Sequence, residues 1–451
     1  MSSNKAFFQL LGFCFIFFFS HFQLFGQKTA VNNVFQREFE QVVRIANKMH
    51  PQTNFNEKEW KLPQKTVIKH PDTLWKYLAL QLNKFECGHT FVHLPDFRRR
   101  ENVKLLPGYF FAKDKKLYFS MSDTENCYEL EEIENIPADK IYTELIKVAR
   151  KQRIAERDLS EKFALYFHLI YGINKDYFEI KVKNFAEKRV FPHIVFEEWI
   201  KTHAEKYQKN LTWKYIETSK TVVLEIPDFF FEENVISSQM PELLSEWEKK
   251  SVKSLVIDLR ENLGGSMRTA EKLFSFLCSD TVTLKKKSYL KSMIFEDSEY
   301  LSQISTRPYG AVLHQKVSAL LARNFSGNEQ KGYESREGYY TQSTVIPESK
   351  TFNGEIVVLV SRETYSAAEH FCRLLKKSKR GKLAGEKTGG TAKTLQADIV
   401  LTYTLSHSHI SFDLPLIRIE FLDFDEDSFS PEINIRDKSP CKKEEIPFEL
   451  H

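Results

Sequence analysis

The chain has 451 residues, 42% of them hydrophobic, enough to bury more than one core, so two or three domains are expected. Its 65 Lys and Arg stand against 61 Asp and Glu, a formal net charge of +4. No long basic run interleaves with aromatics as in chains that grip phosphate backbones, which argues against nucleic acid as a partner.

At the N-terminus Lys5 precedes an apolar stretch from Ala6 to Phe19, and Phe22 to Gly26 extends it to the polar Gln27. A positive start and a short apolar core predict an export signal over residues 1–26, removed to leave a periplasmic or extracellular protein. The alternative is an uncleaved anchor, because the stretch is nearly long enough to span a bilayer. That segment would be the chain's only means of membrane association. Cleavage would remove Cys14 and leave Cys87, Cys127, Cys278, Cys372 and Cys441, an odd number with no Cys-x-x-Cys pair, so no disulfide framework is expected. Cys278 and Cys372 fall on apolar helix faces and read as small buried hydrophobes.

Residues 27–100 read as a partly helical region. Leu74, Tyr77, Leu78 and Leu82 recur at helix spacing, and the turn Glu86-Cys87-Gly88-His89-Thr90 then runs into a short strand. Residues 101–160 give strands at Gly108–Phe111 and Leu117–Phe119, then a helix opened by Pro137, a pattern that suits a small peptide-binding module. Residues 161–220 are charged and mixed in pattern and read as a linker with helices. From 221 to 440 strand and helix alternate. The apolar runs Leu255–Leu259 and Ile356–Val360 are each followed by a helical pattern, as expected of a parallel α/β core. The polar, Gly-containing stretch 280–352 is expected to be a lid, a dimerisation arm or a disordered loop.

Three segments of this last region carry candidate chemistry. Val360 to Glu369 places Ser366 between a buried strand and an apolar-periodic helix, where backbone N–H groups and the helix dipole favour negative charge. A serine there is, taken alone, more often an N-cap. Asp258-Leu259-Arg260-Glu261-Asn262-Leu263-Gly264-Gly265 puts two glycines just beyond a parallel strand, where a backbone can approach a ligand or simply turn. Gly385-Glu386-Lys387-Thr388-Gly389-Gly390 is not a phosphate loop, because Glu386 occupies the position of a required glycine. His407-Ser408-His409 could offer two imidazoles to a metal, but no third ligand accompanies them and an exposed edge strand is the better account. No metal and no cofactor is implied.

In this order and spacing, the three segments resemble the tail-specific, or C-terminal processing, peptidases and their tricorn relatives, whose members carry Asp-Leu-Arg-x-Asn-x-Gly-Gly, Thr-x-Ser-Ala/Ser-x-Glu and Gly-Glu-x-Thr-x-Gly. The resemblance implies a crotonase-like ββα core within a multi-domain α/β chain, and a PDZ-like module near 101–160, although no clear Gly-Leu-Gly-Phe-type carboxylate loop is found there. It implies Ser366 as nucleophile and an oxyanion hole from the N–H of Ala367 and of Gly264 or Gly265. The lysine of the processing branch is matched by Thr391, with Lys387 and Lys393 off register. The tricorn-like and retinoid-binding-protein-like branches instead draw a histidine from an upstream Gly-His-Thr segment, matched by His89. His93, four residues on, reads as an exposed strand residue. Those branches place an acid six residues before a late proline, which here is Pro431, giving Asp425, with Glu386 as the other candidate. The implied activity is serine-type cleavage of polypeptides through an acyl-enzyme after export. Its rivals are a catalytically silent apolar-ligand or peptide-binding protein on the same fold, and an esterase.

Overall fold

The computed structural model describes residues 34–52, 67–122, 127–151, 154–203, 211–295, 298–307 and 314–435. The export-signal segment lies outside them. Among the described residues no helix is long and apolar enough to cross a membrane.

The two apolar runs form the middle of a six-stranded sheet. Its order is Thr212–Ile216, Thr221–Glu225, Ser254–Asp258, Glu355–Val360, Lys382–Gly385 and Ile433–Asn434, all parallel except the first pair. Alternation sorts the side chains. Val222, Leu224, Leu255, Ile257, Ile356 and Val358 join the main core, whereas Val223, Val256, Leu359 and Ala384 form a smaller cluster with Ile216 and Ile433. The helices Glu233–Lys249, Met267–Ser275 and Ala367–Ser378 contribute their buried faces to the main core. Phe371 of the last helix lies 6.2 Å from Phe229 and 5.5 Å from Phe274, ring centre to ring centre.

Stretch 280–352 is not a lid or a structureless loop. It supplies the strands Val282–Leu290, Leu301–Arg307, Phe325–Asn328, Gly332–Ser335 and Gln342–Val345, and these join Thr394–Leu405 and Ser411–Phe421 in a second, eight-stranded sheet. His407 and His409 do not lie on an edge strand. They sit in the turn between Thr394–Leu405 and Ser411–Phe421, with His409 at φ 57°. No metal-holding cluster of His, Cys, Asp or Glu occurs among the described residues.

The eighth strand of that sheet is Phe91–Val92, which pairs antiparallel with Ser411–Phe421 in the register Phe91↔Asp413. His93 adds a backbone bond to Ser411 O and brings its Nε2 within 2.9 Å of the buried Asp413 carboxylate. It thus fastens the strand. A helix over 34–49 buries Phe39, Val42, Ile45, Ala46 and Met49 at helix spacing, and its buried Glu38 accepts the N–H groups of His407 and Ser408.

A further sheet orders Tyr109–Lys113, Lys116–Ser120, Tyr128–Ile133, Tyr177–Val182 and Arg189–Pro192, with the helices Ala138–Leu145 and Ala155–Tyr171 beside it. The boundary read at 160/161 therefore runs through a helix, and the stretch 161–220 contributes strands to this sheet. Among the described cysteines Cys127 is disulfide-bonded, whereas Cys87, Cys278 and Cys372 are free and buried.

Phe371 is completely buried between two other rings. Phe371→Ala should lower the unfolding free energy by about 3–5 kcal/mol, read from urea denaturation. A loss under about 1 kcal/mol would show that the helix does not depend on this ring.

Candidate active site

Ser366 ends a turn that links Val360 to the helix Ala367–Ser378. Thr364 ties the turn down: its hydroxyl accepts from Ser361 N–H at 2.9 Å and donates to Leu259 O at 2.8 Å. Tyr365 N–H donates to Asn262 O at 3.0 Å. So held, Ser366 adopts φ 58° and ψ −114°, outside the extended conformation of an ordinary N-cap, and its side chain makes no capping bond. A non-glycine residue in such a conformation costs about 1–3 kcal/mol. The hydroxyl is directed away from the helix that it would otherwise cap.

The Gly264-Gly265 loop stands against this turn. Gly264 has φ 105°, and a Cβ there would lie 2.7 Å from the Ser366 Cβ. Gly265 has φ 136°, and a Cβ would strike Phe229 C at 2.3 Å. Both positions need glycine for conformation and for space. The two are unequal as oxyanion donors: Gly264 N–H already donates to the Asn262 side-chain oxygen at 2.8 Å. Gly265 N–H and Ala367 N–H have no acceptor among the described residues, and Ala367 opens the helix where N–H groups are normally orphaned. Asn262 is fully buried and also donates to Ile226 O at 2.9 Å, so it clamps two strands and both loops.

His89 reaches this point from another part of the chain. Its Nε2 lies 3.0 Å from Ser366 Oγ, and its Nδ1 lies 3.2 Å from the Tyr365 hydroxyl. The turn that carries it is anchored from below. Gln52 N–H donates to His50 Nδ1, so His50 Nε2 carries the proton and donates to the buried Thr90 hydroxyl at 2.8 Å. Burial lowers the pKa of His50 to about 3, which keeps the ring neutral.

The other expected residues fall elsewhere. Asp425 does not stand behind His89. It is fully exposed, with its carboxylate 3.7 Å from Lys393 Nζ, because the acidic loop 423–427 turns it to solvent. Glu386 faces Arg362 Nε at 3.4 Å and serves the junction with the sheet of residues 109–192, where Arg362 also meets Glu156 and Asp114. Lys387 is exposed, and Lys393 lies 3.8 Å from Glu420 as well as near Asp425.

Glu369 was not singled out by the sequence reading, although it is the final residue of the Thr-x-Ser-x-x-Glu segment. Its carboxylate accepts the Thr388 hydroxyl at 2.7 Å and Gly390 N–H at 3.1 Å, and takes a bond from the backbone of Ser366. This is the reciprocal half of a capping box, joining the glycine-rich loop to the serine turn. Burial pushes this carboxyl up to about 7, against the opposing pull of Arg373 and of these donors. Arg373 is fully buried, its Nε donating to Ala392 O at 2.8 Å and its guanidinium lying 4.1 Å from the Phe421 ring centre. The resulting arrangement is a hydroxyl on a strained turn, an imidazole in hydrogen-bond contact with it, and two free backbone donors beside it.

Residues 220–407 match the model of peptidase family S41. No curated protein matches the chain. Among solved structures, mature CPAF complexed with lactacystin superposes with a TM-score of 0.57 at 14% identity, covering 90% of this chain and 94% of that one. Mature CPAF gives 0.54 at 13%, covering 90% and 92%. The photosystem II D1 C-terminal processing protease gives 0.44 at 13%, covering 89% and 93%. At these identities the CPAF structures show a shared fold.

The raised pKa of Glu369 has a signed consequence. A carboxyl that holds its proton more tightly folded than unfolded has no effect below its unfolded value of 4.5 and costs stability as the pH rises from there to about 7. Glu369→Gln keeps an acceptor for Thr388 and Gly390 and removes that cost. The fall in Tm between about pH 5 and about pH 7.5 should be smaller in the variant. Burial also raises Glu363 to about 7, but it acts alike in both proteins and cancels in the difference. Equal falls would show that Glu369 is ionised throughout.

Proposed function

We propose that this chain, a serine-type peptidase whose residues 220–407 belong to peptidase family S41, cleaves polypeptides through an acyl-enzyme on Ser366. The observation that carries the assignment is the 3.0 Å approach of His89 Nε2 to Ser366 Oγ, with a serine hydroxyl that caps nothing. In this reading His89 takes the hydroxyl proton as Oγ attacks the peptide carbonyl. The carbonyl oxygen, now negative, accepts from Ala367 N–H and Gly265 N–H at the positive end of the helix Ala367–Ser378. Collapse breaks the C–N bond, and the imidazolium returns its proton to the departing amine. Water, deprotonated by the same imidazole, then releases the acyl group and restores Ser366.

We read the core as crotonase-like and the sheet of residues 109–192 as a PDZ-like module that could receive a peptide by strand addition. We place the activity after export, removal of residues 1–26 preceding it. A silent binding protein would have no use for a strained serine in contact with an imidazole.

The test is labelling of the purified protein by a fluorophosphonate probe. Wild type should label, and both Ser366→Ala and His89→Ala should lose labelling by a factor of about a hundred or more while remaining folded by circular dichroism. A folded wild type that does not label would return the chain to the binding-protein reading.

A further inference from the structure

The reaction proposed for His89 depends on which ring nitrogen carries its proton. To accept from Ser366 Oγ, Nε2 must be bare and Nδ1 protonated. Nδ1 therefore needs an acceptor that holds the ring in that form, a task given to a carboxylate in many triads. Here the Tyr365 hydroxyl lies 3.2 Å from Nδ1, and the two rings stack with centres 5.0 Å apart and planes at 29°.

Tyr365 is built into its place. It is buried, and its backbone N–H is fixed on Asn262 O at 3.0 Å. A Cβ on Gly88 would lie 2.7 Å from the phenolic oxygen, and one on Gly390 would lie 2.9 Å from the ring, so two glycines on different loops leave the space that the ring fills. Gly88 N–H also donates to the phenolic oxygen. That oxygen thus already acts as an acceptor toward the segment that carries His89. Tyr365 and Ser366 are adjacent in one turn, so one backbone segment fixes both the nucleophile and the group behind its base.

We propose that Tyr365 is the positioning residue of this site, its phenolic oxygen accepting His89 Nδ1–H and so presenting a bare Nε2 to Ser366. The inference rests on the serine-peptidase reading above. Burial keeps the Tyr365 phenol well above its usual pKa, so the acceptor is neutral rather than a phenolate. A neutral acceptor orients the ring but gives the imidazolium less support than a carboxylate would. The charged groups acting on Tyr365 are Glu369 and Arg150, of opposite sign, and the Cys87 thiol beside the turn is pushed up to about 11 by burial and stays neutral.

The test combines nitrogen-15 NMR of the imidazoles with the rate of fluorophosphonate labelling, in wild type, Tyr365→Phe and His89→Ala. Subtracting the His89→Ala spectrum isolates the His89 signals. Wild type should show neutral His89 with the proton on Nδ1. Tyr365→Phe, which keeps the ring and its packing, should lose that bias and label about tenfold more slowly or worse. A wild-type proton on Nε2 would overturn the inference, because Tyr365 would then be the donor and would hold His89 in the unproductive form. An unchanged tautomer and rate in Tyr365→Phe would overturn it too, while His-dependent labelling left the peptidase reading standing. Wild type that does not label, or labels equally in His89→Ala, removes that reading and this inference with it.

Discussion

The backbone of Ser366 is the constraint on which the rest of the site depends. At φ 58° a residue with a side chain is strained, and relaxing to an extended N-cap would turn its hydroxyl back onto the helix. What opposes relaxation is a set of bonds drawn from three neighbouring segments. Thr364 holds Leu259, Asn262 O holds Tyr365, and Glu369 holds the Ser366 backbone together with Thr388 and Gly390. None of these is strong alone, at about 1 kcal/mol each net. Because Asn262, Thr364, Glu369 and Thr388 are all buried, breaking any one would strand a polar group without water, and that penalty is the larger.

The same economy explains how an imidazole from residue 89 meets a serine from residue 366. The strand Phe91–Val92 is too short to be stable by itself, but it adds to the edge of Ser411–Phe421 and is fastened by His93 on the buried Asp413. Antiparallel pairing sets the register, and His89 lies just before the strand begins. On the other side, His50 holds Thr90, and His50 follows a helix that docks through Glu38 onto the turn closing the same strand. The N-terminal region thus supplies the imidazole that meets Ser366 and two of its supports, so the proposed site is incomplete without it.

Much of this could be read in the sequence, for physical reasons. Short apolar runs such as Leu255–Ile257 suit buried parallel strands, and the glycines at 264 and 265 marked a backbone free to turn or to approach another group closely. The long stretch 280–352 was misread because its inward positions include a lysine. Lys286 is buried over the Tyr339 ring at 4.4 Å, so the strand Val282–Leu290 shows three lysines in a row where alternation was sought. Asp425 was reached by counting positions, which fixes distance along a chain but not the direction of a side chain in an exposed loop. Tyr365 gave no signal, since an aromatic residue in a turn is ordinary until the partner 276 residues away is known.

The ionic junction with the sheet of residues 109–192 bears on the same turn. Arg157, on the helix Ala155–Tyr171, donates to Glu363 Oε2 at 3.1 Å and to Glu261 O, while Arg362 meets Glu156 and Asp114 across the junction. Glu261 precedes Asn262, and Glu363 precedes Thr364, so the contacts fall one residue away from two of the groups that hold Ser366 in its strained form. Glu363 is only partly exposed, and burial raises its carboxyl to about 7 against the opposing pull of Arg157. Arg157 of that module touches both loops, so the module cannot shift without disturbing the bonds that fix the serine turn. The geometry of the serine is therefore a property of the docked units together, rather than of the α/β core alone.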